Sequence, residues 1–305
     1  MATKDKQKEV TLHFDWLELA IFMAPGSLGL LHAYCVYFLH DVAPFFFLLY
    51  VVIPYLDLYS SKAKNHTENE QRLRSKDWRF LIPIYFFFVT YWIDVYATFE
   101  YMVYVFDNHS YLRCALIIPM LWLTGGKEVI VGHEMGHRKS CIHRFLGYLL
   151  YLRFLNTTFI ITHNKGHHKW VATPLDAASA SKGQTVFQFI AHSIPYSFIQ
   201  GWKIEEERIE KNHGPEVSPI LKILLNQILI MKLGEVMYLG AVYYIWGFKM
   251  LCFAVLLGFL LQCSLEIINY VEHYGLRRKE ISPGKYERVT IKHSWNSSHS
   301  LVNYL

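Results

Sequence analysis

Histidine is concentrated in three short stretches of this 305-residue chain, and their spacing suits metal binding. They are His-Glu-Met-Gly-His at 133–137, His-Asn-Lys-Gly-His-His at 163–168, and Asn-Tyr-Val-Glu-His-Tyr-Gly-Leu at 269–276. Neutral imidazole binds iron, zinc and copper, whereas an ionisable side chain is costly inside a bilayer. Each stretch lies at or just beyond the end of a long apolar segment. The pattern predicts a metal enzyme at a membrane surface with a lipid-soluble substrate.

The first stretch, taken alone, has three interpretations. His133 and His137 are four residues apart, so a helix would place both imidazoles on one face, where they could share a metal ion. The same five residues match the H-E-x-x-H pattern of zinc proteases, in which Glu134 would be the general base. A polar turn at the membrane interface, with no metal, is equally compatible with the pattern.

The second and third stretches favour a site with more than one metal. His163, His167 and His168 raise the number of clustered histidines to five. A catalytic zinc ion needs only three protein ligands and a water molecule, so five histidines indicate two metals. His273 follows Glu272 directly, and a carboxylate beside a ligating histidine commonly orients its ring.

Two alternatives remain open on the residues alone. An intramembrane zinc metalloprotease would use His133, Glu134 and His137, with Asp176 as a distant third ligand, but it leaves the other histidines without a role. The second alternative is a non-catalytic membrane subunit that keeps the fold, binds little metal and has a stable membrane protein partner.

The elements that must position the histidines are apolar helices. Hydrophobic residues make up 53% of the chain and the mean hydropathy is +0.17, both high for a soluble domain. A membrane-spanning helix needs about 20 mostly apolar residues. We therefore predict an all-α integral membrane protein, a single membrane domain over 1–305 with six transmembrane helices. The predicted spans are 17–39, 43–58, 81–106, 111–131, 220–246 and 250–271.

The distribution of Lys and Arg predicts the orientation of these spans. Six spans place nearly all basic residues on one side, which is then cytoplasmic. That side receives the N-terminus, the loop 59–79, the histidine-rich region 132–219 and the tail 272–305. All three histidine stretches share it. The net charge of +5 is explained by these membrane-flanking residues, so we expect a lipid bilayer and no nucleic acid as partner.

Carboxylates inside predicted spans are expensive and often functional. Asp94 and Glu100 lie in the third span, Glu235 in the fifth and Glu266 in the sixth. A structural alternative is that some of them snorkel, pair with one another or pair with Lys232. Glu266, about two turns before His273, is the best candidate to orient a ligand or to stabilise its helix.

Several stretches resemble the integral-membrane alkane hydroxylases (alkane 1-monooxygenases), within the membrane fatty acid desaturase and hydroxylase superfamily. The resemblance covers nearly the whole chain, and Asn-Tyr-x-Glu-His-Tyr-Gly-Leu separates the alkane hydroxylases from ordinary desaturases. The stretches that carry it are HEMGHRKS at 133–140, HNKGHHKWVATPLDAAS at 163–179, LEIINYVEHYGLRR at 265–278, KYER at 285–288 and HSWNSSH at 293–299.

The resemblance implies a non-haem di-iron site held almost entirely by histidines. It implies terminal hydroxylation of alkanes or similar fatty chains with O2, using electrons from rubredoxin or an equivalent donor. Glu134, Glu266, Glu272 and Asp176 are the candidates for contacts behind the ligands. The iron ligands carried over by position would be His133, His137, His163, His167, His168 and His273.

Two positions depart from the family pattern. Thr162 stands where the family usually has Glu before the second stretch, which is expected to remove a partner of a ligand. The family also has an H-x-x-H-H cluster after the W-N-S-S-H stretch, and the sequence ends at Leu305 before that point. The spacing of His293 and His299 does not reproduce it. We therefore expect a truncated enzyme, an inactive relative or a protein with fewer irons, and not a competent hydroxylase as the 305 residues stand.

Overall fold

The structure is a computed structural model that describes residues 15–60, 70, 73–74 and 76–295. The described residues are almost entirely helical. They fall into two compact units, the described residues up to Thr98 and those from Phe99 onward. The helix Ile82–Asn108 runs through the boundary, and all three histidine stretches lie in the second unit.

The first unit contains helices that are bent or interrupted at prolines. Trp16–Phe22 and Ala24–Phe38 form a pair bent by 42°, and Pro25 occupies the first turn of the second helix. The apolar helix Ala43–Asp57 contains a π-helical turn, Leu48–Val52, just before Pro54. Proline has no N–H and collides with the carbonyl four residues before it, and a wider turn accommodates both effects.

Among the described residues, four helices are long and apolar enough to cross a membrane, or five if the bent pair is one span. The predicted second span, 43–58, is not among them. The helix found there has 15 residues and is about 22 Å long at 1.5 Å per residue, against a hydrocarbon core of about 30 Å. The four are Trp78–Asn108, Tyr111–His137, Gln227–Trp246 and Phe248–His273.

The apolar run predicted as the fifth span, 220–246, is divided into two helices in the structure. The Ser218 side chain caps a separate short helix, Pro219–Leu225, and the Asn226 side chain accepts from Ile228 N–H to cap the spanning helix Gln227–Trp246. Asn226 is extended, with φ −75° and ψ 113°, so the apolar run is divided into two helices. Hydrophobicity was continuous across this point, and the division depends on side-chain capping.

The region 132–219 contains more helix than its polar composition suggests. Cys141–Leu150 follows the first histidine stretch, and the 28-residue helix Val186–His213 follows the second. Thr185 and Gln188 form a capping box at its start. Gly214, with φ +91°, ends it.

The residues after the last spanning helix form a small hairpin. Strand Glu280–Ser282 pairs antiparallel with Lys285–Tyr286, and Gly284 takes a positive φ of +71° in the turn. The short helix Ile291–His293 follows. His299 and the last residues of the predicted tail lie outside the described part of the chain.

The carboxylates predicted inside spans all have polar partners. Asp94 Oδ1 lies 2.5 Å from His32 Nδ1 in the first unit. In the second unit, Glu100 accepts a hydrogen bond from Trp246 Nε1, at 2.8 Å. Glu235 pairs with Lys232, at 2.9 Å, which confirms that structural alternative for this residue.

Candidate metal centre

Four histidine rings from the first two stretches converge on one point. Their potential ligand nitrogens all lie within 4.8 Å of one another. The Nε2 atoms of His133 and His163 are 2.8 Å apart, and those of His133 and His137 are 3.0 Å apart. His168 Nε2 lies 3.1 Å from His137 Nε2. Nitrogens bound to one ion at about 2.1 Å and at right angles are separated by about 3.0 Å, so this donor set fits a transition metal ion.

The first pair is positioned by an α-helix packed closely on its neighbour. Glu128–His137 places His133 and His137 one turn apart, as predicted, with ring centroids 4.5 Å apart. Its partner helix is Cys141–Leu150. A Cβ atom on Gly147 would lie 2.9 Å from Met135 Cβ and 3.0 Å from the Gly132 carbonyl oxygen. The glycine therefore allows the two backbones to approach.

The second stretch is a π-helix, and this selects which of its histidines join the cluster. Thr162–His167 has π-helical hydrogen bonding, in which residues five apart come to the same face. His163 and His168 are five apart, and both enter the four-histidine group. In a regular α-helix they would point about 140° apart, and His163 would share its face with His167 instead.

His167 and His273 lie directly beside the four-histidine group. The His167 ring stacks on His163, with centroids 5.0 Å apart, and its centroid is 4.9 Å from that of His273. His273, at the end of the last spanning helix, is bonded through Nδ1 to the carbonyl oxygen of His293 at 3.0 Å, so Nε2 is left for another partner. The structure therefore brings all six predicted ligands into one neighbourhood, in two groups.

The pKa shifts separate the histidines of the second stretch into the same two groups, with His163 and His168 in one and His167 in the other. Burial, followed by the like charges of His167 and His133, holds the pKa of His163 far below its usual value. Burial, with His167 and His137, also lowers the pKa of His168. Both shifts favour the neutral ring, which is the form that binds metal.

His167 has the opposite environment. Burial lowers the pKa of His167, but the hydrogen bond and charge of Asp176 outweigh it, and the net shift is upward. Burial alone would raise the pKa of Asp176, yet contacts from His167, Ser179 and the Ala178 N–H lower it. Asp176 Oδ2 lies 3.0 Å from His167 Nδ1 and accepts from Ser179 Oγ. The carboxylate thus fixes the ring and directs Nε2 away from itself.

The other predicted carboxylates differ in their placement. Glu134 is exposed and pairs with Arg138 at 3.0 Å. Glu272 Oε2 lies 3.7 Å from His273 Nε2. Glu266 is buried and bonded to the Ser193 hydroxyl, with Asn269 Nδ2 at 3.4 Å. The zinc protease interpretation gains no support, because Glu134 is engaged at the surface and Asp176 is bonded to His167.

Thr162, where the resemblance leads us to expect glutamate, bonds within its own segment. Its hydroxyl lies 3.3 Å from the Thr158 carbonyl oxygen and 3.2 Å from that of Phe159, so it serves its own helix. A polar cavity of about 20 Å³ adjoins His163 and His167 and is also lined by Glu266 and Asn269. Space of this size is enough for a water molecule.

Sequence reasoning missed Arg278, which connects two loops beneath the site. Its backbone N–H donates to the Ala172 carbonyl oxygen at 2.7 Å. Its side-chain Nη1 donates to the carbonyl oxygens of Lys169 and Val171, at 2.9 and 3.3 Å. Ala172 has a positive φ of +57°, so the loop after the second stretch is held in an uncommon conformation. The only sequence signal was that Arg278 closes the family-like stretch 265–278.

Comparison with known proteins agrees with this geometry. Alkane 1-monooxygenase 1 of Pseudomonas aeruginosa is 36% identical over 197 residues, which are 63% of this chain and 49% of that protein. Alkane 1-monooxygenase of Ectopseudomonas oleovorans is 33% identical over 194 residues, 64% of this chain and 47% of the relative. Alkane 1-monooxygenase 2 of Alcanivorax borkumensis is 31% identical over 210 residues, 68% and 54% respectively.

The chain spans about half the length of the curated relatives it matches. The family model described as fatty acid desaturase matches residues 108–305, which include all three histidine stretches and three of the six predicted spans. Since this match covers more than half of the chain and the relatives are alkane 1-monooxygenases, the protein belongs to the fatty acid desaturase family, as an alkane-hydroxylase-like member.

Proposed function

We propose that this chain forms the histidine centre of a membrane monooxygenase that hydroxylates the terminal carbon of alkanes or fatty chains with O2. The observation that carries the proposal is the convergence of His133, His137, His163 and His168 at the end of apolar helices. The relatives' names supply the reaction class. One oxygen atom enters a C–H bond, and the other leaves as water with two electrons and two protons.

The donor set supports iron as the resident metal. His133, His137, His163 and His168 would surround one ion, and His167 with His273 would serve a second beside it. When bound, iron supplies the activation of O2 that an unactivated methyl group requires. The chain's own part is to hold these imidazoles in fixed orientations: Asp176 orients His167, and the His293 carbonyl orients His273.

The membrane arrangement belongs to the same proposal. We infer six spans, with Ala43–Asp57 as the short second one, and place the N-terminus and the histidine stretches on the cytoplasmic side. The support is the basic character of the loop 59–79 and the region 132–219. Rubredoxin or a similar donor would deliver electrons there, and the alkane would reach the site from the bilayer.

Metal analysis with a reconstituted assay tests the function. The full chain is purified in detergent, iron and zinc are counted per chain, and octane oxidation is followed with NADH, rubredoxin and its reductase. We expect iron, lost in His168→Ala and kept in His192→Ala, whose exposed ring stacks on Tyr196. A single zinc ion and no iron would favour the protease alternative. Little metal and a co-purifying membrane protein would favour the non-catalytic subunit.

The amount of iron, with octanol formation, also tests the expectation from the sequence that the 305 residues are not a competent hydroxylase. Two irons per chain with octanol formation would show that these 305 residues suffice for hydroxylation. Iron binding without octanol formation would support the proposed metal centre and would show that the 305 residues do not catalyse hydroxylation by themselves.

A further inference from the structure

A polar pair inside a spanning helix contacts the segment that leads into the second histidine stretch. Lys232 and Glu235 lie in Gln227–Trp246, and Glu235 is 6% exposed. Ionisable side chains in a membrane-spanning helix are costly and are commonly retained for function. These two are more than 60 residues from His163 in sequence, and neither belongs to the metal site described above.

The segment they contact has a strained turn. Leu155 has φ +51° and ψ 30°, the left-handed conformation that a bulky side chain rarely adopts. Such conformations persist only where the surroundings enforce them, and they concentrate at functional sites. Leu155 lies four residues before the helix Phe159–Ile161, which continues directly into the π-helix that carries His163.

Five hydrogen bonds involve Lys232 and Glu235: three join the pair to this segment, and two join Lys232 to Glu235. Lys232 Nζ donates to the Leu155 carbonyl at 3.1 Å and to both Glu235 oxygens at 3.1 and 2.9 Å. Glu235 Oε1 accepts from the Thr157 N–H at 2.8 Å and from the Thr157 hydroxyl at 2.7 Å. The pair therefore fixes the residue at the turn and the residue two positions later.

The neighbouring spanning helix, Phe248–His273, holds the same turn from another direction. Gln262 Nε2 donates to the Phe154 carbonyl at 2.8 Å and to that of Leu155 at 3.3 Å. A Cβ atom on Gly258 would lie 2.9 Å from the Leu155 side chain and from the Arg153 carbonyl oxygen, so the helix touches the segment closely. Two spanning helices thus clamp residues 153–157.

We infer that Glu235 and Lys232 are positioning residues for the second histidine stretch: by holding the left-handed turn at Leu155 and the backbone of Thr157, they set the place of His163 and His168 at the metal. This deepens the proposed function and rests on it. A purely stabilising role for the pair would lower the melting temperature without changing the affinity of the folded protein for metal.

Co²⁺ titration of the metal-free full chain in detergent, followed by visible absorption, tests this inference. We expect Glu235→Gln to weaken Co²⁺ binding about 10-fold, the size found when groups that orient metal ligands are removed, and to change the cobalt spectrum. The matched control is Glu210→Gln, which removes a different Lys–Glu pair, between Glu210 on the long helix Val186–His213 and Lys222 on Pro219–Leu225. It should bind Co²⁺ as the parent does.

A double variant separates positioning from general destabilisation. Glycine adopts φ +51° without strain, so Leu155→Gly removes the need for a clamp. In this background we expect Glu235→Gln to have a much smaller effect on Co²⁺ affinity. If Glu235→Gln does not fold, Thr157→Val is used in its place. This change removes the bond from the Thr157 hydroxyl to Glu235 and keeps the bond from the Thr157 N–H, so we expect a smaller loss of Co²⁺ affinity.

The outcomes distinguish this inference from the proposed function. Parent-like Co²⁺ affinity in Glu235→Gln, or an equal loss with and without Leu155→Gly, overturns the positioning role. Failure of the parent chain itself to bind Co²⁺ and iron overturns the proposed metal centre.

Discussion

Replacing Gly147 by alanine should separate the first histidine pair from the rest of the site. The new Cβ would be 2.9 Å from Met135 Cβ and 3.0 Å from the Gly132 carbonyl oxygen, where carbon atoms normally lie at least about 3.5 Å apart. The backbone of Glu128–His137 cannot rotate out of the way as a flexible side chain would. We therefore expect it to move by about 0.5 Å relative to Cys141–Leu150.

That displacement is large for a metal site and moderate for stability. Metal–ligand distances tolerate only about 0.2 Å, so His133 and His137 would no longer match His163 and His168. Alanine is a better helix former than glycine by about 1 kcal/mol, and overpacking costs about 1–3 kcal/mol. The net change in the free energy of unfolding is thus about 0–2 kcal/mol of destabilisation, and the protein should remain folded.

Metal content and Co²⁺ affinity measure the effect, beside a thermal melt of the same samples. We expect Gly147→Ala to lose at least about 10-fold in affinity. Gly240→Ala is the control, because nothing lies within 4 Å of the Cβ position in that spanning helix. Parent-like metal affinity in a folded Gly147→Ala protein would refute the argument that this close approach sets the site.

Three further predictions concern the metal centre and its location. Asp176→Asn should weaken metal binding about 10–100-fold, because the carboxylate uses both oxygens as acceptors, Oδ2 for His167 and Ser179 and Oδ1 for the Ala178 N–H, and the amide has only one acceptor oxygen; chelator competition measures this, and an unchanged affinity would count against the orienting role. Removing metal with a chelator should lower the melting temperature, since metal at 1,000 times its dissociation constant stabilises by about 4.1 kcal/mol, and an unchanged melt would show that no metal is bound by the folded chain. Cys141 is exposed beside the first stretch, so an impermeant thiol reagent should label it in inverted vesicles and not in intact cells; the reverse pattern would contradict the cytoplasmic assignment.

Local spacing was enough to predict part of the site. The four-residue separation of His133 and His137 on a helix predicts a shared face, and the structure has it. The apolar runs around residues 81–106 and 250–271 also predict spanning helices. In lipid, backbone N–H and C=O groups must be hydrogen-bonded within the chain, and a helix of that length achieves this across the bilayer. The choice between zinc protease and monooxygenase depended on the wider set of histidines.

Other features depended on contacts that the sequence does not display. An α-helical second stretch would bring only His167 beside His163, whereas the π-helix also brings His168 there, so that His163 and His168 both join the four-histidine group. The break at Asn226 depends on side-chain capping, and the short helix at 43–57 contains a π-helical turn next to a proline. A hydropathy profile shows only continuous apolar residues at both places.

By itself, the sequence determined an apolar helical protein with candidate metal ligands, all histidines, at helix ends, because periodicity, length and donor chemistry are local properties. The tertiary structure decided which histidines meet. Asp176, the His293 carbonyl and the Glu235–Lys232 pair come from distant parts of the chain, and hydrogen bonds across such distances form only when the helices pack.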